Sequence, residues 1–292
     1  MTAATAAPIV HAAFHTRIEP PLAGRDASPA RRLRWLADEA GAQMARLRAD
    51  VPAPRWLPFV CTTCMSPMLT GRPGDCDALD RRLEAIGGLR PIGWLQAYEC
   101  AGWGYALRFA GLHGATRHVA ISIIDADLHD VFAGAYEKAI GAVGYGVTTL
   151  AVELPERAAL PECGGPHPNR GFTEFLHSIR AGQRAFGRRM TFLPFLPEAF
   201  ASVAERLIGR ELLAANRHAA YGHTFGADPW IGLIEWFDAL RPASAQTVTA
   251  GAFAYDGYFT RCDFVVPPTL KTALRVQRSD VAPGIGGVGD CA

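Results

Sequence analysis

The sequence predicts an α/β protein, and three observations carry that prediction. Segments of helical period and segments of strand character alternate from Ser28 to Val266. One of the strands, His118–Ile124 (HVAISII), has no polar alternation, as expected at the centre of a layered α/β fold. Directly before it, residues 101–114 (AGWGYALRFAGLHG) read as a mostly apolar helix rich in small residues.

The elements follow in order. Residues 1–27 are rich in Ala and Pro and show no consistent period. Ser28 suits an N-cap and Pro29 the first helical position, and Leu33, Leu36, Ala40, Met44 and Leu47 then recur at helical spacing. Trp56–Thr62 reads as a buried strand, Gly71–Asp75 as a loop, and Asp77–Ile86 as a short helix closed by Gly87-Gly88. Trp94–Tyr98 is a brief strand that leads straight into Cys100, and Val147–Val152 a later one. The Pro- and Gly-dense stretch Pro155–Arg170 reads as a linker at the middle of the chain. The second part reads as helix Phe172–Phe186, strand Met190–Phe195 and helix Glu198–Leu207. The Gly-bounded turn YGHTFGAD then opens a helix ending near Leu240, and strands Thr247–Phe253 and Tyr258–Val266 follow. The boundaries are therefore an N-terminal segment at 1–27, one half at 28–160, a second at 161–270, and a tail at 271–292 that reads as disordered. The halves share a cadence but no repeat is visible in their residues.

Composition narrows the function classes. The 29 basic and 28 acidic residues leave a net charge of +1, which argues against a general nucleic-acid-binding surface. No apolar run approaches the length of a membrane span, and the N-terminus lacks a charged region followed by an apolar run. A chain of 292 residues with 49% hydrophobic content needs no disulfide framework, and its seven cysteines are odd in number, so a reduced, cytoplasmic protein is expected.

Two residues stand out chemically. Cys100 lies where a strand hands over to a helix, so a thiolate there would face the positive end of the helix dipole, which lowers a thiol pKa. The alternative is a small buried hydrophobe. His223, between Gly222 and Gly226 in a turn that opens a helix, can accept a thiol proton and return it, or can be a loop histidine. The spacing Cys61-Thr-Thr-Cys64 suits redox or zinc chemistry, but no second pair follows, so no metal is expected. Asp125 and Asp127 could orient a neighbouring group but read first as a solvated strand-end pair, and GIGGVG in the tail lacks the strand and helix of a nucleotide site.

The runs FVCTTCMSP, LQAYECAGWGYALRFAGL and RHVAISIIDADLHD together resemble the N-terminal half of β-ketoacyl-ACP synthase III, a member of the thiolase superfamily. That family places a strand before an Asp/Gln-Ala-x-Cys-x-Gly motif, here Gln96 to Gly102, and ends its central strand in a Gly/Ala-Asp dipeptide, here Ala126-Asp127. TFLPFLPEAFASVAERLIG, YGHTFGADPWIGLIEWF and TVTAGAFAYDGYF resemble the family's later motifs in the same order. The resemblance implies a duplicated βαβαβαββ fold in five layers, α/β/α/β/α, and a homodimer. It implies an acyl thioester on Cys100, delivered by acyl-CoA or acyl carrier protein as substrate, with no separate cofactor. It implies an oxyanion held by the N–H of Cys100 and by the final turn near Gly251 and Ala252.

Two departures qualify it. Phe195 stands where the family has its first active-site histidine, and His223 where synthase III has asparagine. A phenylalanine cannot stabilise the carbanion of decarboxylative condensation, whereas Cys100 and His223 suffice for acyl transfer. Three readings stay open: an acyltransferase of fatty-acid, polyketide or other specialised metabolism, a non-catalytic partner subunit of a ketosynthase-like heterodimer, and a Cys–His thioesterase. Hydrogen-bond reach between Cys100 and His223 favours catalysis, and a tunnel plugged by Phe195 or Trp103 favours the partner role.

Overall fold

The computed structural model describes residues 6–18, 28–65, 76–114, 116–129 and 141–277. The first half runs β1 (Ile9–Ile18), α1 (Pro29–Asp50), β2 (Trp56–Cys61), α2 (Cys76–Gly87), β3 (Gly93–Leu95), α3 (Gly102–His113), β4 (His118–Asp125) and β5 (Tyr145–Glu153). Its strands lie in the order β3-β2-β4-β5-β1, with β3, β2 and β4 parallel and the pairs β4–β5 and β5–β1 antiparallel. The second half runs β6 (Glu162–Gly164), α4 (Gly171–Phe186), β7 (Thr191–Phe192), α5 (Glu198–Ile208), α6 (Asp228–Leu240), β8 (Gln246–Phe253) and β9 (Phe259–Val266).

The second half repeats the first. β6–β9 and β9–β8 are antiparallel and β8–β7 is parallel, which reproduces β1–β5–β4–β2 strand for strand. The fifth strand of the repeat has shrunk to one parallel bridge, Thr191 to Leu213. The expected duplication is therefore present, although no residue pattern announces it. The two sheets touch where Ile9 of β1 pairs with Val265 of β9.

Helices fill the spaces in the order the resemblance implies. α1 and α2 pack together, and α1 covers β1, β4 and β5 from outside. α4 and α5 do the same for the second sheet, with α4 on β8 and β9. Between the sheets, α3 touches β2, β3 and β4 on one side and β6 and β9 on the other, while α6 touches β1, β7, β8 and β10 (Lys271–Gln277). This explains why α3 and α6 are so apolar: the first turns of both are buried between the sheets, and α3 meets solvent only in its second half, at Arg108, Phe109, Leu112 and His113. Trp103 of α3 meets Trp230 of α6 edge to face at 5.0 Å, and Phe264 of β9 closes the cluster. All three are fully buried.

Most elements form where local signals predict. Ser28 caps α1, its hydroxyl accepting the Arg31 N–H at 3.3 Å, and the five apolar positions of α1 named above are its buried face. Three expectations need correction. The tail is not disordered from residue 271, because Lys271–Gln277 pairs in parallel with Ala12–Ile18 of β1 and satisfies an otherwise open strand edge. Residues 278–292, with GIGGVG, and the Gly71–Asp75 loop lie outside the described residues. The strand Met190–Phe195 is cut to Thr191–Phe192, since Pro194 has no N–H to give and that of Phe195 goes to a side chain. The linker Pro155–Arg170 contains a short strand, β6.

Trp103→Ala should lower the unfolding free energy by about 3–5 kcal/mol, because it empties the contact between the two central helices. Leu112→Ala, at a position 70% exposed on the same helix, should change it by less than about 0.5 kcal/mol. Urea denaturation followed by far-ultraviolet circular dichroism measures both.

Candidate active site

The two central helices begin alike. A one-turn 3₁₀ segment, Glu99–Ala101, precedes α3, and another, Phe225–Ala227, precedes α6 at the equivalent place in the repeat. Each opens on a residue in the left-handed region, Glu99 at φ 45° and Phe225 at φ 55°. Such backbone is uncommon for residues with a Cβ and is held only where the surroundings fix it. Here each turn fixes the other. A Cβ on Gly226 would lie 3.2 Å from the Cys100 carbonyl oxygen and 3.7 Å from its Cα, so the turns pack backbone to backbone. A side chain at 226 would have to push the Cys100 carbonyl and the Ile123 methyl back by a few tenths of an ångström.

Around this contact the structure assembles a relay. Cys100 Sγ lies 3.7 Å from His223 Nε2, and the Thr63 hydroxyl donates to the same sulfur at 3.9 Å. On the far side of the ring, His223 Nδ1 meets Asp228 Oδ2 at 2.6 Å. Asp228, at the first position of α6, is completely buried and accepts the Phe195 N–H at 2.8 Å, the Thr224 N–H at 2.7 Å and the Thr224 hydroxyl. The backbone of His223 is clamped as well, donating to Ala142 O at 2.8 Å and accepting from Gly144 N–H at 2.9 Å. The ring is thus oriented by a carboxylate and two backbone bonds, and it faces the thiol.

Electrostatics sets the resting state of this line. Burial pushes the Cys100 thiol well above its ordinary range, and Glu99, Asp125 and Asp228 push it further, against a smaller opposing effect of the Thr63 hydroxyl. The lowered thiol pKa expected from the helix dipole is therefore overturned: desolvation and three carboxyl groups outweigh the half-charge of a helix end. For His223, burial works against the charged ring, but Asp228 by charge and hydrogen bond, aided by Asp125, raises its pKa above 6.5.

Asp125 takes the orienting role that the sequence ranked below a solvated strand end. It is 1% exposed, and its Oδ1 accepts from Thr63 N–H at 2.6 Å, Cys64 N–H at 3.1 Å and the Thr62 hydroxyl at 3.4 Å. It thereby shapes the turn that presents Thr63 to Cys100. Burial raises its pKa to about 6 despite those bonds. Asp228 was missed; the available signal was an acid at a helix start, which ordinary capping explains equally well. Cys61 and Cys64 are free and buried, and among the described residues no group of three or more His, Cys, Asp or Glu is arranged to hold a metal ion.

The other sequence-derived positions lie as follows. The Phe195 ring stacks on Tyr221 at 5.9 Å within a cluster containing Ala227 and Ile231, and only its backbone reaches the site. Gly251 and Ala252 lie inside β8, opposite Arg261 and Thr260, rather than in the turn that follows. The Cα of Gly251 faces Phe175 and Ile179 of α4. In the turn itself, the Tyr255 N–H donates to Glu99 Oε2 at 2.8 Å. Trp103, the other candidate plug, is locked against Trp230.

No protein-family model matches this chain, and no curated protein matches its sequence. Solved structures do match. The 3-oxoacyl-(acyl carrier protein) synthase III of Pseudomonas aeruginosa superposes with a TM-score of 0.65 at 14% identity, over 90% of this chain and 99% of that one. ChlB3, described as an acyltransferase, gives 0.64 at 12% identity over 91% and 99%. AbyA1, a tetronic acid condensing enzyme, gives 0.57 at 15% identity over 88% and 99%. At such identities the likeness is one of fold, and the chain shares the thiolase-like α/β fold with these structures. Among the described residues no helix is long and apolar enough to cross a membrane.

Because the folded pKa of His223 is raised above 6.5, its pairing with Asp228 should stabilise the fold fully below that pH and lose this contribution as pH climbs through the folded value. Asp228→Asn should lower the midpoint of the His223 ring in an NMR titration and remove that alkaline loss from the curve of Tm against pH.

Proposed function

We propose that this protein is an acyltransferase of the β-ketoacyl-ACP synthase III type, which loads an acyl group on Cys100 and passes it on. One observation carries the reading: Cys100, His223 and Asp228 form an unbroken line, 3.7 Å from sulfur to ring and 2.6 Å from ring to carboxylate. A histidine oriented by a buried carboxylate is what a protonated thiol needs before it can attack.

The acyl donor is acyl-CoA or acyl carrier protein; the Pseudomonas aeruginosa neighbour, a 3-oxoacyl-(acyl carrier protein) synthase III, supports the carrier. The Cys100 proton passes to His223 Nε2 while sulfur bonds to the thioester carbonyl carbon. The carbon–sulfur bond to the donor then breaks, and the departing thiolate takes the proton back from His223. Asp228 holds the Nδ1–H throughout and stabilises the imidazolium. The oxyanion is assigned to the N–H of Cys100 and to the β8 end of the second sheet, which runs beside the Glu99–Ala101 turn.

Phe195 argues for transfer over decarboxylative condensation, since its side chain offers no polar donor and packs on Tyr221. It also keeps alive the reading of a non-catalytic partner subunit, against which the intact Cys–His–Asp line weighs. The same reading carries a dimer, either of two copies or with a ketosynthase-like subunit, acting in the cytoplasm in fatty-acid, polyketide or related metabolism.

Mixing the protein with a panel of acyl-CoAs and acyl carrier protein thioesters should yield an acyl adduct by intact mass, absent in Cys100→Ala. His223→Ala should load at least about 100-fold more slowly, and the wild-type loading rate should rise with pH through the raised pKa of His223. A folded protein that takes no acyl group from any donor would overturn the proposal in favour of the partner subunit.

A further inference from the structure

The sulfur of Cys100 has a second polar neighbour that the loading step above leaves idle. Thr63 is 1% exposed, and among the described residues its hydroxyl has one hydrogen-bond partner, Cys100 Sγ at 3.9 Å. A buried hydroxyl that gave up this contact would be left without an acceptor, which is costly. Backbone bonds fix where the hydroxyl points. The Thr63 N–H donates to Asp125 Oδ1 at 2.6 Å, and the Cys64 N–H donates to the same oxygen at 3.1 Å.

The direction of the bonds at the sulfur follows from the far end of the line. In the neutral ring His223 Nδ1 keeps its proton toward Asp228 at 2.6 Å, so Nε2, 3.7 Å from the sulfur, is the acceptor for the thiol proton. The thiol therefore donates to the ring, and the Thr63 hydroxyl donates to the sulfur. As the thiol proton moves to Nε2, negative charge grows on the sulfur and the Thr63 bond becomes charge-assisted. A contact that strengthens between the resting state and the transition state is one that raises a rate. Glu99, Asp125 and Asp228 oppose that charge, and Thr63 works the other way. Asp125 thus disfavours the thiolate by its charge while aiming a donor that favours it.

We propose, on the acyl-Cys100 reading, that Thr63 is a further catalytic residue, its hydroxyl donating to the Cys100 sulfur each time that atom carries negative charge. In loading, the charge appears as the thiol proton leaves for His223, and it is quenched when sulfur bonds to the acyl carbon. In transfer, the acceptor gives its proton to His223 and bonds to the acyl carbon. The carbon–sulfur bond breaks with its electron pair going to Cys100, and His223 then returns the proton to the sulfur. Thr63 keeps its own proton throughout, so it adds no atom and no charge to either step. Both half-reactions draw on the same donor.

Two measurements on Thr63→Val, Thr63→Ala and Thr63→Ser test it. Valine and alanine lack the hydroxyl, whereas serine keeps it and loses only the methyl. Without any acyl donor, alkylation of Cys100 by iodoacetamide, followed by peptide mass, should slow about 10-fold in Thr63→Val and Thr63→Ala at fixed pH. Its rise should also move to higher pH in those two variants, while Thr63→Ser stays within about 3-fold of wild type. With an acyl-CoA that loads the wild type, loading by intact mass should fall about 10-fold without the hydroxyl and recover in Thr63→Ser. Wild-type rates without the hydroxyl, or equal losses in Thr63→Ser and Thr63→Ala, would overturn the role of Thr63. If no donor acylates the wild type, the acyltransferase reading falls, and the alkylation rates still decide whether Thr63 stabilises the thiolate.

Discussion

The contact of Gly226 with the backbone of Cys100 is the constraint on which the rest depends. Each of the two repeats delivers a central helix into the space between the sheets, and each helix starts from a left-handed turn that ordinary side chains avoid. The second turn is closed from within by Asp228, which accepts the Thr224 N–H and hydroxyl. Pressed together, and backed by the edge-to-face pair of Trp103 and Trp230, they have no other place to go. A nucleophile from one repeat and its histidine and carboxylate from the other meet because the repeats pack at their helix starts. Strain at the site is thus carried by a fully buried part of the core.

The same burial that fixes the geometry governs the chemistry. In so dry a place a lone thiolate beside Glu99, Asp125 and Asp228 is strongly disfavoured, so the sulfur rests as a thiol. The imidazole is the one group there that gains from negative neighbours, and Asp228 raises its proton affinity against the cost of burial. Reactivity follows from passing a proton along a fixed line, not from a pre-ionised nucleophile. Thr63, aimed at the sulfur by the bonds of its turn to Asp125, adds a donor to the same sulfur that faces His223.

Phe195 shows how a position can lose one role and keep another. Its side chain is apolar and belongs to a small cluster with Ala227 and Ile231. Its peptide N–H still closes the shell of donors around Asp228, a role that any residue except proline could fill. The identity of residue 195 therefore bears on which reactions are possible, whereas its backbone bears on whether the triad stands.

The sequence alone determined what is written in short range. Periodicity and caps placed α1, α3, α4 and the buried strand β4, because the face a helix or strand buries is set by neighbours three, four or two residues away. The local chemistry of Cys100 and His223, each at the mouth of a helix, made them legible as candidates. Tertiary structure decided the rest. β1, hidden in an Ala-rich segment, pairs with β5 along its length, and β10, in a stretch that reads as a tail, pairs with β1 across more than 250 residues of chain. Asp228, Asp125 and Glu99 look in sequence like a helix cap, a strand end and an ordinary polar residue. They become parts of a site only when two helix starts meet and the water around them is removed, since it is burial that turns a surface acid into a group that orients, raises or waits for a proton.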